Sequence, residues 1–271
     1  MYYESIGTAD AEWAGKPYAE IAEIADRDGS VLVVPVGSIE QHGHHLPVAT
    51  DTLLVDAVVA GAVERAETDA GEAPPLLVTP PVWSGFSPHH LPFGGTISLS
   101  LEDLRAVLET VARRGVENGF DAVAFVNGHG GNEALVSAVV STAGHELDAE
   151  TVGVTYFRLA TDEVREIRES DPGGMAHGGE YETSLVLHLR PDLVGGHGDR
   201  EGTMGEGPYE WTDLDLLGGG PLSVYRPFDD YSETGAIGAP ELADAEKGER
   251  IYEAVTRELA ALLTAVHEEA A

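Results

Sequence analysis

The sequence predicts an α/β fold, a mostly parallel sheet with helices on both faces. Two observations predict it. Short, uninterrupted apolar runs such as Val31–Val36 suit strands covered on both sides rather than strands with one wet face. Between those runs lie longer stretches with apolar residues at helical spacing, and strands that alternate with helices pair in parallel.

In chain order, Val31–Val36 is the first strand. Residues 52–67 read as a helix, with Thr50 or Asp51 as its N-cap. Residues 76–79 form a second strand, stopped by Pro80-Pro81. After Ser100, a candidate N-cap, Leu101, Leu104, Leu108 and Val111 recur at helical spacing. Residues 122–126 give a third strand, 132–147 a third helix and 151–157 a fourth strand. Residues 195–238 break the alternation: they are rich in Gly and Pro, weakly periodic, and carry Trp211, Tyr225 and Tyr231. That is the composition of a lid, an interface or an insertion. A long helix over residues 240–267 closes the pattern. No internal repeat or low-complexity linker divides the sequence, so residues 1–271 are expected to form one domain.

The chain has 271 residues, 42% of them hydrophobic, enough for a substantial core and too many for a disordered chain. No segment approaches the roughly 20 apolar residues needed to cross a bilayer. Met1-Tyr2-Tyr3-Glu4 does not resemble an export signal, so a cytoplasmic protein is expected. Cysteine is absent, which excludes disulfides, thiolate metal sites and cysteine nucleophiles. Any metal has to be held by His and carboxylate. With 48 acidic against 15 basic residues the formal charge is −33, and Lys16 and Lys247 are the only lysines. Such a field repels nucleic acid and anionic membranes, and neither is expected as a partner. The acids are spread along the chain rather than gathered in a tail. A halophile's surface has that pattern, because concentrated salt screens the self-repulsion.

Chemistry gathers in three places. After the first strand comes Gly37-Ser38-Ile39-Glu40-Gln41-His42-Gly43-His44-His45, then Asp51. In an open α/β sheet, ligands bind beyond the carboxyl ends of the strands. Glu40 and His42 are two apart, so in extended chain their side chains leave on one face. The break at Pro47 lets Asp51 fold back at the start of the next helix. Mixed oxygen and nitrogen donors suit zinc, manganese or iron(II); the plainer alternative is a polar loop whose histidines only hydrogen-bond. After the third strand, Val126-Asn127-Gly128-His129-Gly130-Gly131-Asn132 offers a tight turn and a helix start beside the same crevice. Its glycines alone would equally suit phosphate, and His129 in their midst is what points to a metal site. The third place, Ala176-His177-Gly178-Gly179-Glu180-Tyr181-Glu182-Thr183-Ser184, reads equally well as a capped helix start with acids favoured by the helix dipole.

Taken together, these segments resemble the creatininase family. Pro35-Val36-Gly37-Ser38-Ile39-Glu40-Gln41-His42-Gly43-His44-His45-Leu46-Pro47 with Asp51 is similar to its first motif, the stretch from Asn127 to Asn132 to its second, and that from His177 to Ser184 to its third. Phe93-Gly94-Gly95-Thr96-Ile97-Ser98-Leu99 resembles the family's loop before the second helix. Order and spacing match over residues 28–195, with a weaker echo at Thr234-Gly235-Ala236-Ile237-Gly238. The resemblance implies a three-layer α/β/α hydrolase with two divalent ions (zinc, manganese or iron(II)), assembled as a homo-oligomer, often a hexamer. It implies that Glu40 and His129 bind one metal and His42 the other, that Asp51 bridges them, and that His177 is the catalytic histidine.

Two departures matter. Creatinine-hydrolysing members carry Glu where Gly131 stands here, and an apolar residue at the position of Glu180. The exchange assigns Glu180 as the fifth ligand, with Glu182 orienting His177 or a ligand. Those members also have a tryptophan that closes over creatinine where this chain has Gly173-Gly174-Met175. Creatinine is therefore expected to be a poor substrate, unless Trp211, Tyr225 or Tyr231 replaces that aromatic. With neither cysteine nor a serine elbow, the expected nucleophile is a metal-bridging water acting as hydroxide, with His177 passing a proton to the leaving nitrogen. The expected substrate is a small amide or cyclic amide. A formamide hydrolase acting on the ribosylaminopyrimidine phosphate of flavin and deazaflavin synthesis ranks second, and a mycofactocin-type peptidase third. An inactive metal-binding scaffold, from a different class, is disfavoured by the complete ligand set.

Overall fold

The computed structural model describes residues 9–69, 73–195 and 200–271. Residues 1–4, read above for an export signal, and residues 196–199 of the irregular segment lie outside them. Four strands, β1 (Val31–Val36), β2 (Leu76–Val78), β3 (Ala122–Asn127) and β4 (Glu150–Thr155), form a parallel sheet in the order β2-β1-β3-β4. One face packs on α1 (Tyr18–Ala25), α3 (Leu101–Glu117) and α4 (Glu133–Glu146). The other packs on α2 (Thr50–Asp69), α5 (Thr161–Ile167), α6 (Glu180–Leu189) and α7 (Ala245–Ala270).

Successive strand residues point to opposite faces, which explains the uninterrupted apolar runs. On β1, Leu32, Val34 and Val36 enter the core beneath α1, α3 and α4, while Val31 and Val33 enter the other. On β3, Val123 and Phe125 join the first group and Ala122, Ala124 and Val126 the second. The central strands β1 and β3 are neighbours, although β2 lies between them in the chain. The connections leave this pair in opposite directions, so a crevice opens beyond its carboxyl ends.

Several boundaries differ from the sequence reading. The fourth strand stops at Thr155, because Tyr156 and Phe157 turn inward and bury their rings. Neither α1 nor α5 was anticipated: α1 buries only Ile21 and Ala25, and α5 only Val164 and Ile167, too few positions to establish a period. The final helix begins at Ala245 rather than at Pro240, because the Asp244 side chain caps it by accepting from the Lys247 amide at 2.8 Å. Ser100 does cap α3, accepting from the Asp103 amide at 3.1 Å. Thr50 and Asp51 both lie inside α2, which leaves the Asp51 carboxylate in the first turn, facing the crevice.

From Arg200 to Gly238 the chain is irregular and wraps the loop that carries His177. Gly205 N donates to Gly173 O, Leu216 N to Met175 O, and Ile237 N to His177 O. Asp215 receives the Gly173 amide at 2.8 Å and pairs with Arg168. Among the described residues, no helix is long and apolar enough to cross a membrane.

Candidate metal centre

Beyond the carboxyl ends of β1 and β3, four segments converge: the loop after β1, the first turn of α2, the loop after β3, and the first turn of α6 with the residues before it. The loop after β3 is shaped by Asn127, whose side-chain nitrogen donates to His129 O at 2.8 Å and whose oxygen accepts from His129 N at 3.1 Å. Gly128 lets that loop close on α2, since a Cβ there would sit 2.8 Å from the Val55 Cβ. At Gly131 a Cβ would run into the His129 ring and the Phe86 carbonyl. A carboxylate side chain therefore has no room at that position here.

Asp51 stands at the centre. Its Oδ1 lies 3.0 Å from His42 Nε2 and its Oδ2 3.2 Å from His129 Nδ1. Glu40 joins the second histidine, with Oε2 3.1 Å from His129 Nδ1. Glu182 joins the first, with Oε1 3.7 Å from His42 Nε2. All five side chains are buried. Two groups of three donors result, Glu40, Asp51 and His129 in one and His42, Asp51 and Glu182 in the other, sharing Asp51. A third grouping, Glu40 with His42 and His177, is also compact enough for an ion.

The ring tautomers test whether cations fit. His42 Nδ1 is 3.1 Å from the Glu40 backbone carbonyl, and His129 Nε2 is 3.2 Å from that of Phe86. A carbonyl only accepts, so those nitrogens carry the protons. The opposite nitrogen of each neutral ring then turns a lone pair toward carboxylate oxygens, which is unfavourable unless a positive charge lies between them. Asp51 Oδ2, buried, faces the His129 ring and has no other partner among the described residues. The same carboxylates draw protons onto the two rings. Burial pushes His42 and His129 down, but Asp51 and Glu182 for the one, and Glu40 and Asp51 for the other, more than offset it. His42 is raised well above its ordinary value and His129 to about 10. Glu40 is held well below the carboxylate range: burial raises it, and His129 and His90 outweigh the burial. Backbone-anchored histidines opposed to buried carboxylates are a donor set suited to divalent ions.

His177 is placed differently. Its Nε2 donates to the Gln41 carbonyl at 2.6 Å, which leaves Nδ1 bare and 3.7 Å from Glu40 Oε1. Burial, then His42 and His90, hold it well below its ordinary value, so the ring is neutral. Glu180 is the main correction. Expected as the fifth ligand, it instead accepts from the Glu169 and Ser170 amides at 3.0 and 2.9 Å and pairs with Lys247 at 2.8 Å. Two residues apart on a helix, side chains point roughly 200° away from each other, and it is Glu182 that faces the crevice. Glu182 also accepts from Gly178 N, next to His177, at 2.5 Å.

Sequence reasoning missed four further groups. Ser87 donates to Glu40 Oε2 at 2.6 Å. His90 Nε2 lies 3.1 Å from Glu40 Oε1, and Gln41 Nε2 lies 3.0 Å from His90 Nδ1. The His89-His90 pair just before Phe93 was a signal available in the sequence; Phe228, whose ring lies on these histidines, had none. Met175 and its two preceding glycines are buried, so that loop offers no aromatic to the crevice. Trp211 and Tyr225 are largely exposed, and the Tyr231 ring meets Phe228 edge-on at 6.1 Å.

A sequence profile described as "Creatininase: Creatinine amidohydrolase" matches residues 17–263. The chain is 36% identical over 227 residues to a mycofactocin precursor peptide peptidase from Mycolicibacterium smegmatis, covering 82% of this chain and 79% of that one. It is 30% identical to creatinine amidohydrolase from Pseudomonas putida, covering 95% of each. A solved structure described as "Creatininase Mn" superposes with a TM-score of 0.77 at 26% identity, covering 96% of this chain and 99% of that one.

Proposed function

The chain belongs to the creatininase family and is a hydrolase of that family, and from that premise we propose that it holds two divalent ions and cleaves an amide C–N bond with water. The observation that carries this reading is Asp51, whose two oxygens each face a different histidine, each accompanied by its own second carboxylate. Glu40, Asp51 and His129 would hold one ion, and His42, Asp51 and Glu182 the other. Bound there, such ions supply Lewis acidity, polarising an amide carbonyl and acidifying water.

The protein's own groups do the rest. Neutral His177 presents a bare Nδ1 to the crevice, so it accepts a proton as water attacks the carbonyl and returns it to the departing nitrogen. Its Nε2–H, fixed on the Gln41 carbonyl, keeps the ring in the one orientation that serves both transfers. Ser87 steadies Glu40. Near-complete burial of the carboxylates removes competing bulk water and strengthens each electrostatic contact.

The substrate we favour is a small or cyclic amide other than creatinine, because the loop before His177 brings no ring to the crevice. A peptide amide is the second reading, favoured by the identity to the mycofactocin precursor peptide peptidase. Metal analysis after loading with zinc or manganese is expected to give about two ions per chain, one in Glu182→Gln, none in Asp51→Asn, and both in Glu180→Gln. Retention of both ions by Glu182→Gln would overturn the ligand assignment. A screen of amides, cyclic amides, formamides and short peptides with the loaded protein then separates the substrate classes.

A further inference from the structure

The route to the metal centre is narrow. Glu40, His42, Asp51, His90 and His129 are each at most 4% exposed, while the His177 side chain keeps 11%. The ring of Phe228 lies at that opening. Its centroid is 4.3 Å from His90, 4.7 Å from His89 and 5.3 Å from His177, and Tyr231 meets its far side edge-on at 6.1 Å. Phe228 comes from the irregular segment, far in sequence from every donor, and it is only half-buried.

The backbone around it is loosely tied. The short turn Phe228–Asp230 is closed by bonds from Asp230 N to Pro227 O and from Tyr231 N and Ser232 N to Phe228 O, all within the turn. Bonds to the rest of the protein resume after it, where Gly235 O accepts from Gln41 Nε2 at 3.0 Å, Ile237 N reaches His177 O and Ala239 N reaches Gly174 O. The turn itself is held over the site by the contact of one aromatic ring with three imidazoles, an interaction that a flat substrate group can replace, while the chain behind it is anchored at Gly235.

We propose that Phe228 is the residue that selects the substrate: a planar or apolar group beside the scissile amide takes the place of the imidazoles against its ring. This rests on the metal-dependent amide reading and narrows its substrate class to small or cyclic amides that carry a flat apolar group beside the scissile bond.

The test uses cobalt(II)-loaded protein and two probes with one metal-chelating head, acetohydroxamate and phenylacetohydroxamate, followed by the cobalt absorption spectrum. The cobalt content of each variant is measured first. The native protein is expected to bind the phenyl probe about tenfold more tightly, the usual scale for one well-placed pocket contact. In Phe228→Ala and Phe228→Leu that ratio collapses toward unity, while Phe228→Trp retains it. Leu keeps the apolar bulk, so it tests the flat ring even if Ala impairs folding. A ratio near unity in the native protein, or one unchanged in both Ala and Leu variants, overturns the proposal and leaves the metal reading standing. Failure to take up cobalt overturns the metal reading and the proposal with it.

Discussion

Two residues apart in the first turn of α6, Glu180 and Glu182 are divided by the partners the fold gives them. Residue types and spacing identified the three clusters, and Glu40, His42, Asp51, His129 and His177 do meet in one crevice. Which glutamate turns toward it was not legible, because the deciding group, Lys247, arrives from 67 positions further along the chain. Lys247 also pairs with Glu169 at 2.6 Å and donates to the Leu242 carbonyl. Burial raises the Glu180 pKa, but hydrogen bonds from Lys247 and the Ser170 and Glu169 amides outweigh it and hold the carboxyl low. For Lys247, burial lowers and the two glutamates raise, with a net upward shift. The signs fix the pH window. The Glu180 contribution is full above its unfolded value, about 4.3, and is lost as pH falls through its lower folded value. The Lys247 contribution is full below about 10.4 and is lost as pH rises through its higher folded value. Lys247→Met should therefore cost about 3 kcal/mol near neutral pH by stranding a buried carboxylate, and progressively less in acid as Glu180 takes up a proton. Urea unfolding of both proteins at several pH values measures this; a cost that stays constant into acid would show that the pair does not carry it.

Among the elements, the turn after β3 sets the limits of the site. Strands and long helices were readable because their apolar residues repeat over enough positions; the site loops were not, because their shapes depend on single close approaches. Gly131 is one of these. The His129 ring and the Phe86 carbonyl occupy the space that a Cβ at this position would need. The turn's shape thus leaves no room for a carboxylate there, and Glu182 joins the second donor group from another element. Gly131→Ala is expected to displace the His129 ring, to lower stability by about 1–3 kcal/mol as other overpacked sites do, and to weaken the ion shared by Glu40, Asp51 and His129 more than its neighbour. Differential metal titration with a competing chelator distinguishes the two sites, and equal weakening of both would argue against a local effect at His129.

For the molecule as a whole, charge and topology act over the longest range. A formal charge of −33 on 271 residues makes self-repulsion a term in folding. At about 0.1 M salt the Debye length is about 10 Å, and at about 1 M it is about 3 Å, so the urea midpoint should rise steeply between those conditions. A midpoint independent of salt would remove the halophilic reading and leave the metal centre untouched. Topology bears on timing. Asp51 rides on α2 and Glu182 on α6, and α7 packs against both helices. During synthesis, residues 50–69 and 180–189 emerge well before residues 245–270, and the ribosome adds only about 5–20 residues per second. Until α7 is made, the largest surface that clamps these two helices together is missing, leaving the smaller α2–α6 contact and the His45–Thr183 hydrogen bond at 2.9 Å to join them to the loop of His42. The proposed pair of cation sites is therefore expected to be complete only once residues 245–270 have been made, with metal taken up after synthesis rather than during it.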